Sequence, residues 1–217
     1  MPRKLRFMPV GIPQHVIQRG NNRQVCFATE EDFKAYLYWL KKYSCKYSVE
    51  IHAWVLMTNH VHILCTPKIE SGISKMMQDL GRSYVRYFNY TYKRSGTLWE
   101  GRFKSCLVNA DEYLLHLHRY IELNPVRACM VDDPADYCWS SYRGNALGVL
   151  SHLLTKHSIY LGLGVDGFTR QEAYRAMFRS EVSADLLIDI RKAANKGLVL
   201  GNDKFVTQVE KLRSSVD

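Results

Sequence analysis

Apolar residues along this chain change period several times, and each change marks an element. His15-Val16-Ile17-Gln18-Arg19 alternates as a strand and ends at the turn-forming Gly20-Asn21-Asn22. Thr29, followed by Glu30, Glu31 and Asp32, reads as an N-cap with an acidic first turn. Phe33, Tyr36, Leu37, Leu40 and Tyr43 then recur at helical spacing. Residues 51–57 and 60–65 are runs of strand formers around a Thr58-Asn59 turn, closed by Pro67. Residues 71–92 predict a second helix, with Ile73, Met76, Met77, Leu80, Tyr84, Tyr87 and Phe88 as its apolar stripe. Residues 98–108 read as a strand after Ser95-Gly96. Asn109 opens a third helix, Glu112 completes a capping-box pattern, and Pro125 stops it after Asn124.

This order, β-α-β-β-α-β-α, predicts an α+β fold: a ferredoxin-like antiparallel sheet with helices packed on one face. Past Tyr142 the pattern turns polar and glycine-containing up to Gly148, which places a boundary between residues 1–145 and 146–217. The second part reads as a small all-helical C-terminal region. Its signals are a capping box at Thr169-x-x-Glu172, N-caps at Ser183 and Asn202, and a C-cap at Gly197. Such short helices fit a helix-turn-helix unit or a simple packing bundle.

Composition narrows the class. At 47% hydrophobic residues the chain has ample material for a core. The formal charge of +9 is uneven. Residues 1–145 hold 20 Lys/Arg against 13 Asp/Glu, and residues 146–217 hold 10 against 8. A basic main domain points to a polyanionic partner, nucleic acid or an anionic membrane surface, and charge alone does not choose. No apolar run approaches the length of a membrane helix, and the basic start of the chain lacks a signal peptide's apolar segment. Six scattered cysteines without a C-x-x-C pair fit reduced thiols, so the expected compartment is the cytoplasm and no membrane partner is expected. From Lys68 to Lys104, eight Lys/Arg interleave with Tyr84, Tyr87, Tyr90, Tyr92, Trp99 and Phe103. That suits a groove for single-stranded nucleic acid, or an amphipathic helix with a solvated basic face.

The candidate chemistry starts at Thr58-Asn59-His60-Val61-His62. Side chains two apart on a strand share a face, so His60 and His62 project together, as a metal pair would. Two polar residues on the wet face of a half-buried strand would look the same. Tyr120 and Asn124 lie one helical turn apart on one face. Each has a plain alternative, as a core aromatic and as a helix cap before Pro125. Taken together, two histidines and an amide oxygen make three ligands for a divalent ion. A tyrosine beside it could attack a metal-polarised phosphorus, although tyrosine unaided is a poor nucleophile.

At these residues the sequence resembles a known family. His60-Val61-His62 after Thr58-Asn59, Leu98-Trp99-Glu100-Gly101-Arg102-Phe103-Lys104 and Tyr120-Ile121-Glu122-Leu123-Asn124-Pro125-Val126-Arg127-Ala128 are similar to the REP-associated tyrosine transposases. These belong to the single-tyrosine HUH transposases (His-hydrophobic-His), and the resemblance runs from residue 9 to 142. It implies a catalytic domain that cuts and rejoins single-stranded DNA at palindromic hairpins through a 5′-phosphotyrosine, using Mg²⁺ or Mn²⁺. By position, His60 and His62 become the metal pair and Tyr120 the nucleophile. Asn124 takes the third-ligand place, where related proteins often carry Gln. Arg19, Asn22, Arg23, Arg102 and Lys104 are the candidate DNA contacts, and the protein is expected as a monomer or homodimer. Two other readings compete: a non-catalytic single-strand-binding protein, and a protein whose metal serves structure alone.

Overall fold

The computed structural model describes residues 7–180 and 182–214; the basic stretch 1–6 lies outside them. The first half of the chain runs β1 (Gln14–Arg19), α1 (Glu30–Lys46), β2 (Val49–Met57), β3 (His60–Pro67), α2 (Gly72–Thr91) and β4 (Lys104–Val108). Strands β2, β3, β1 and β4 lie side by side in that order, all antiparallel, which is the ferredoxin-like arrangement. Then follow α3 (Ala110–Glu122), α4 (Asn124–Arg127), α5 (Tyr142–Ala146), α6 (Ser158–Leu161) and α7 (Gly167–Ala176). The chain closes with α8 (Ala184–Lys196), β5 (Val199–Leu200) and α9 (Asp203–Ser214). Among the described residues no helix is long and apolar enough to cross a membrane.

Alternation along the strands sorts two cores. Val16, Val61 and Ile63 face α1 and α2, where Tyr36, Leu40, Ile73, Met76, Leu80 and Tyr84 are fully buried. Ala53, Val55, Leu64, Cys106 and Val108 face the other way, onto Leu114, Leu117 and Ile121 of α3 and Ile190, Ala193 and Ala194 of α8. Both sheet faces are therefore covered, not one. A strand buried on both sides needs a helix on each side to keep apolar residues from water.

Several local expectations are revised. The aromatics of α2 and the following loop belong mostly to the core: Tyr84, Phe88, Trp99 and Phe103 are buried, and Tyr90 alone of the set is largely exposed. Their helical spacing turns them toward the sheet, so they form no stacking platform. Residues 98–103 are not a strand. They follow the end of β1 through Asn21 N–Leu98 O and Glu100 N–Arg19 O bonds, each 2.9 Å, and Gly101 sits at φ 144°. That backbone angle is outside the β region, and a glycine tolerates it. Pro125 does not end helical structure at Asn124, because a further turn, α4, begins there with proline in its first positions. In α7 the capping box is Asp166 with Thr169, not Thr169 with Glu172. Ser183, Gly197 and Asn202 cap as read: Ser183 Oγ accepts from Leu186 N, Gly197 is left-handed, and Asn202 Oδ1 accepts from Phe205 N. The C-terminal region also holds one strand, β5, paired in parallel with β4.

A buried polar network ties that region to α3. The Glu122 carboxylate is fully buried and accepts hydrogen bonds from Ser141 Oγ, Asn145 Nδ2 (2.8 Å) and Tyr174 Oη (2.7 Å). Lys156 Nζ donates to Asn145 Oδ1 (2.6 Å). Burial pushes the Glu122 carboxyl up to about 7, against the hydrogen bonds, which favour the charged form. The unfolded chain titrates this group near 4.5, so the native state holds the extra proton between the two values. Its contribution to stability is full below pH 4.5 and is lost as pH rises through about 7. We expect Glu122→Gln to flatten the fall of Tm between about pH 5 and 8. Thermal melts across that range check it, and an unchanged slope would remove Glu122 as its source.

Candidate active site

The register of three strands decides what stands beside what. Arg19 of β1 is opposite His60 of β3, and Ile17 is opposite His62. On the other side of β3, Met57 and Val55 of β2 take the same two places. His60, His62 and His15 thus project from one sheet face, toward α3. Helix α3 starts at the Asn109 cap, whose Oδ1 accepts from Asp111 N, and lays Leu114, Leu117 and Ile121 on the sheet. Tyr120 falls on the flank of that stripe and meets the histidines.

The imidazoles of His60 and His62 are 5.1 Å apart between centroids and nearly perpendicular, at 81°. Tyr120 presents its ring edge-on to His62 at 5.7 Å and to His15 at 5.9 Å. Arg127 of α4 folds back, its guanidinium 4.5 Å over the Tyr120 ring while it donates to Tyr120 O. Asn124 Nδ2 donates to the carbonyls of Tyr120 (2.9 Å) and Ile121 (3.3 Å). Because both partners are acceptors, the amide orientation is set, and Oδ1 is the atom left to accept from or ligate another group.

Both histidines of the pair use Nδ1 for an internal hydrogen bond. His60 Nδ1 lies 2.7 Å from Asn59 Oδ1, an acceptor, so it carries the proton and Nε2 keeps its lone pair. Asn59 is itself held by Nδ2 donating to Arg23 O at 3.2 Å. His62 Nδ1 lies 2.8 Å from His15 Nε2. Burial lowers His60 to about 4, helped by the Arg19 charge, and lowers His15 to about 3. His62 is held well below its ordinary value by burial first, then by His15, His60, Arg127 and Arg19. All three are neutral at pH 7, the state in which imidazole can ligate. Among the described residues no group of three or more His, Cys, Asp or Glu side chains converges as a metal site. The groups that could hold a cation here are the imidazoles of His60 and His62 with Asn124 Oδ1, a donor set whose two nitrogens suit Mn²⁺ better than the oxygen-preferring Mg²⁺.

These groups open onto one cleft of about 1540 Å³. His60, His62, Tyr120 and Asn124 line it together with Arg19, Arg102 and Lys104. Residues of α8, among them Arg191 and Lys196, also line it. Asn22 and Arg23 do not line it. They are exposed on the short turn after β1, both with left-handed backbones (φ 49° and 59°). His15, Asn59, Arg127 and the α8 cations escape a reading of the sequence. His15 shares its strand face with Ile17 and Arg19, which alternation does show, but its meeting with His62 depends on strand pairing.

Three comparisons bear on this arrangement. The fold is similar to a structure of a REP-associated tyrosine transposase bound to a REP hairpin, at 20% identity, 72% of this chain, 93% of that one and a TM-score of 0.55. A candidate transposase from Deinococcus radiodurans R1 is 19% identical over 56% of this chain and 96% of that one, with a TM-score of 0.40. Among curated proteins there is no match. Residues 10–124, which carry β1 through Asn124, match the family described as "Transposase IS200 like". This chain belongs to the IS200-like transposase family.

Proposed function

We propose that this protein is a metal-dependent DNA strand transferase that cuts and rejoins single-stranded DNA through Tyr120. The observation that carries the reading is the packing of Tyr120 against His62 in a cationic cleft that both share with His60, whose Nδ1 carries the proton and leaves Nε2 its lone pair. His60, His62 and Asn124 would hold a divalent ion, which when bound would supply positive charge to the phosphate oxygens. Every other part is the chain's own. Arg127 places a cation against the Tyr120 ring and fixes its helix turn. The buried wall around His62 and His15 excludes water.

In the cleavage step the Tyr120 oxygen bonds to phosphorus and the P–O3′ bond breaks. The tyrosine proton passes to solvent and the departing 3′ oxygen takes one up, leaving a 3′-hydroxyl and a 5′-phosphotyrosine. Attack by a 3′-hydroxyl on that ester reverses the step and rejoins DNA without an external energy source. The packing of Tyr120 beside His62 of its own chain supports action in cis. Hairpin DNA is the substrate this reading favours, supported by the similarity in fold to the hairpin-bound transposase.

Incubation with Mn²⁺ and end-labelled single-stranded hairpin DNA should give a protein–DNA adduct that survives denaturation. Tyr120→Phe should give none while binding the same DNA within about twofold, since it removes one oxygen. Adduct formation by Tyr120→Phe would end the nucleophile assignment, and binding without any adduct by either protein would favour a binding module. His60→Ala should lose both cleavage and Mn²⁺ binding by calorimetry. If EDTA lowers Tm sharply instead of stopping cleavage with the fold intact, the ion is structural. Replacing the second partner, as His15→Leu, should weaken Mn²⁺ binding by roughly 10–100-fold, because His62 loses the contact that orients its ring. An unchanged Kd would show that His15 does not position it.

A further inference from the structure

Helix α8 is built to present charge into the cleft. Ile190, Ala193 and Ala194 are buried against the sheet, so the helix is fixed in rotation. Gly197 ends it in the left-handed region, and β5 then pairs with β4 two residues later. Asn195 Oδ1 accepts from Lys104 Nζ at 3.1 Å, which ties α8 to the start of β4. With the helix held this way, Arg191 and Lys196 are exposed and line the same cleft as Tyr120.

The charge there is unbalanced. Among the described residues lining the cleft, Glu100 is the one carboxylate, against six Lys and Arg. The ion pairs of the described residues lie elsewhere, on α1, between α1 and α2, and at the outer sheet edge. None includes Arg191 or Lys196. Burial first, and then the Arg191 charge, disfavour the charged form of Arg127, whose guanidinium lies over the Tyr120 ring. Convergence of cations without partners costs stability unless an anion relieves it. Both side chains line the same cleft as His60, His62 and Tyr120.

We propose that Arg191 and Lys196 form a phosphate-binding wall, which holds the sugar–phosphate backbone of the DNA strand lying over Tyr120. The C-terminal region is then a part of the nucleic-acid site and not a separate appendage. This rests on the function proposed above. Phosphate contacts position a strand without reading its bases, so the wall acts on all sequences alike.

The test uses the full chain carrying Tyr120→Phe, so that DNA stays intact, and a fluorescent single-stranded hairpin titrated from low to high salt. Adding Arg191→Ala with Lys196→Ala should weaken binding about tenfold and lower the slope of log K against log salt by about 1.4. Two comparators make the result specific. Lys192→Ala with Lys204→Ala removes the same charge from exposed positions outside the cleft and should leave the slope unchanged. The exchange Arg191→Lys with Lys196→Arg keeps the charge and should retain most of the affinity. If the first pair behaves like the Lys192/Lys204 pair, the wall is disproved while the proposed function stands. If the parent protein does not bind single-stranded DNA at all, both fall.

Discussion

The cleft depends on the register of β1 against β3. Strand side chains alternate with a period of two, so a slip of one residue would turn Val61 and Ile63 toward α3 and send His62 into the α1–α2 core. In the observed register His15 and His62 meet diagonally across the pair, with His15 directly opposite Leu64. Their burial keeps both rings uncharged, and their contact sets which nitrogen of His62 faces the cleft. The arrangement has a cost, since His15 Nδ1 is buried without a hydrogen-bond partner. An unpaired buried polar atom is destabilising, and such atoms in native proteins often mark a site held for function.

Much of this was legible in the sequence wherever the signal was periodic. Alternation put His60 and His62 on one face, and helical spacing put Tyr120 and Asn124 on another, without knowledge of how the two faces meet. The sheet's order followed from the order of strands and helices. What was not legible depended on tertiary context. Residues 98–103 have a strand's composition but follow the end of β1, and the α2 aromatics are inward because both helices need a dry face. β5 is two residues long, below the length at which any pattern exists. The α8 cations look like ordinary surface charge until the helix's rotation is known.

Helix α3 joins the two halves of the protein through its opposite sides. Tyr120 faces the cleft, and Glu122, two residues on, faces a dry polar cluster shared with α5 and α7. A rigid helix anchored on both sides holds a nucleophile better than one resting on a single apolar stripe. The same helix then passes directly into α4, whose Arg127 returns to cover the tyrosine. Positioning of the Tyr120 side chain is therefore distributed over elements far apart in the chain.

The parallel pairing of β4 with β5 has a consequence for how the molecule is assembled. β4 ends at Val108, whereas its outer neighbour begins at Val199. While the chain is being synthesised, β4 is a bare edge with unpaired amides and carbonyls until residues near Leu200 leave the ribosome. His60, His62 and Tyr120 have by then already been synthesised. A nascent chain thus carries them before α8 and β5 exist to complete the cleft, and the edge of β4 is open to wrong partners in that interval.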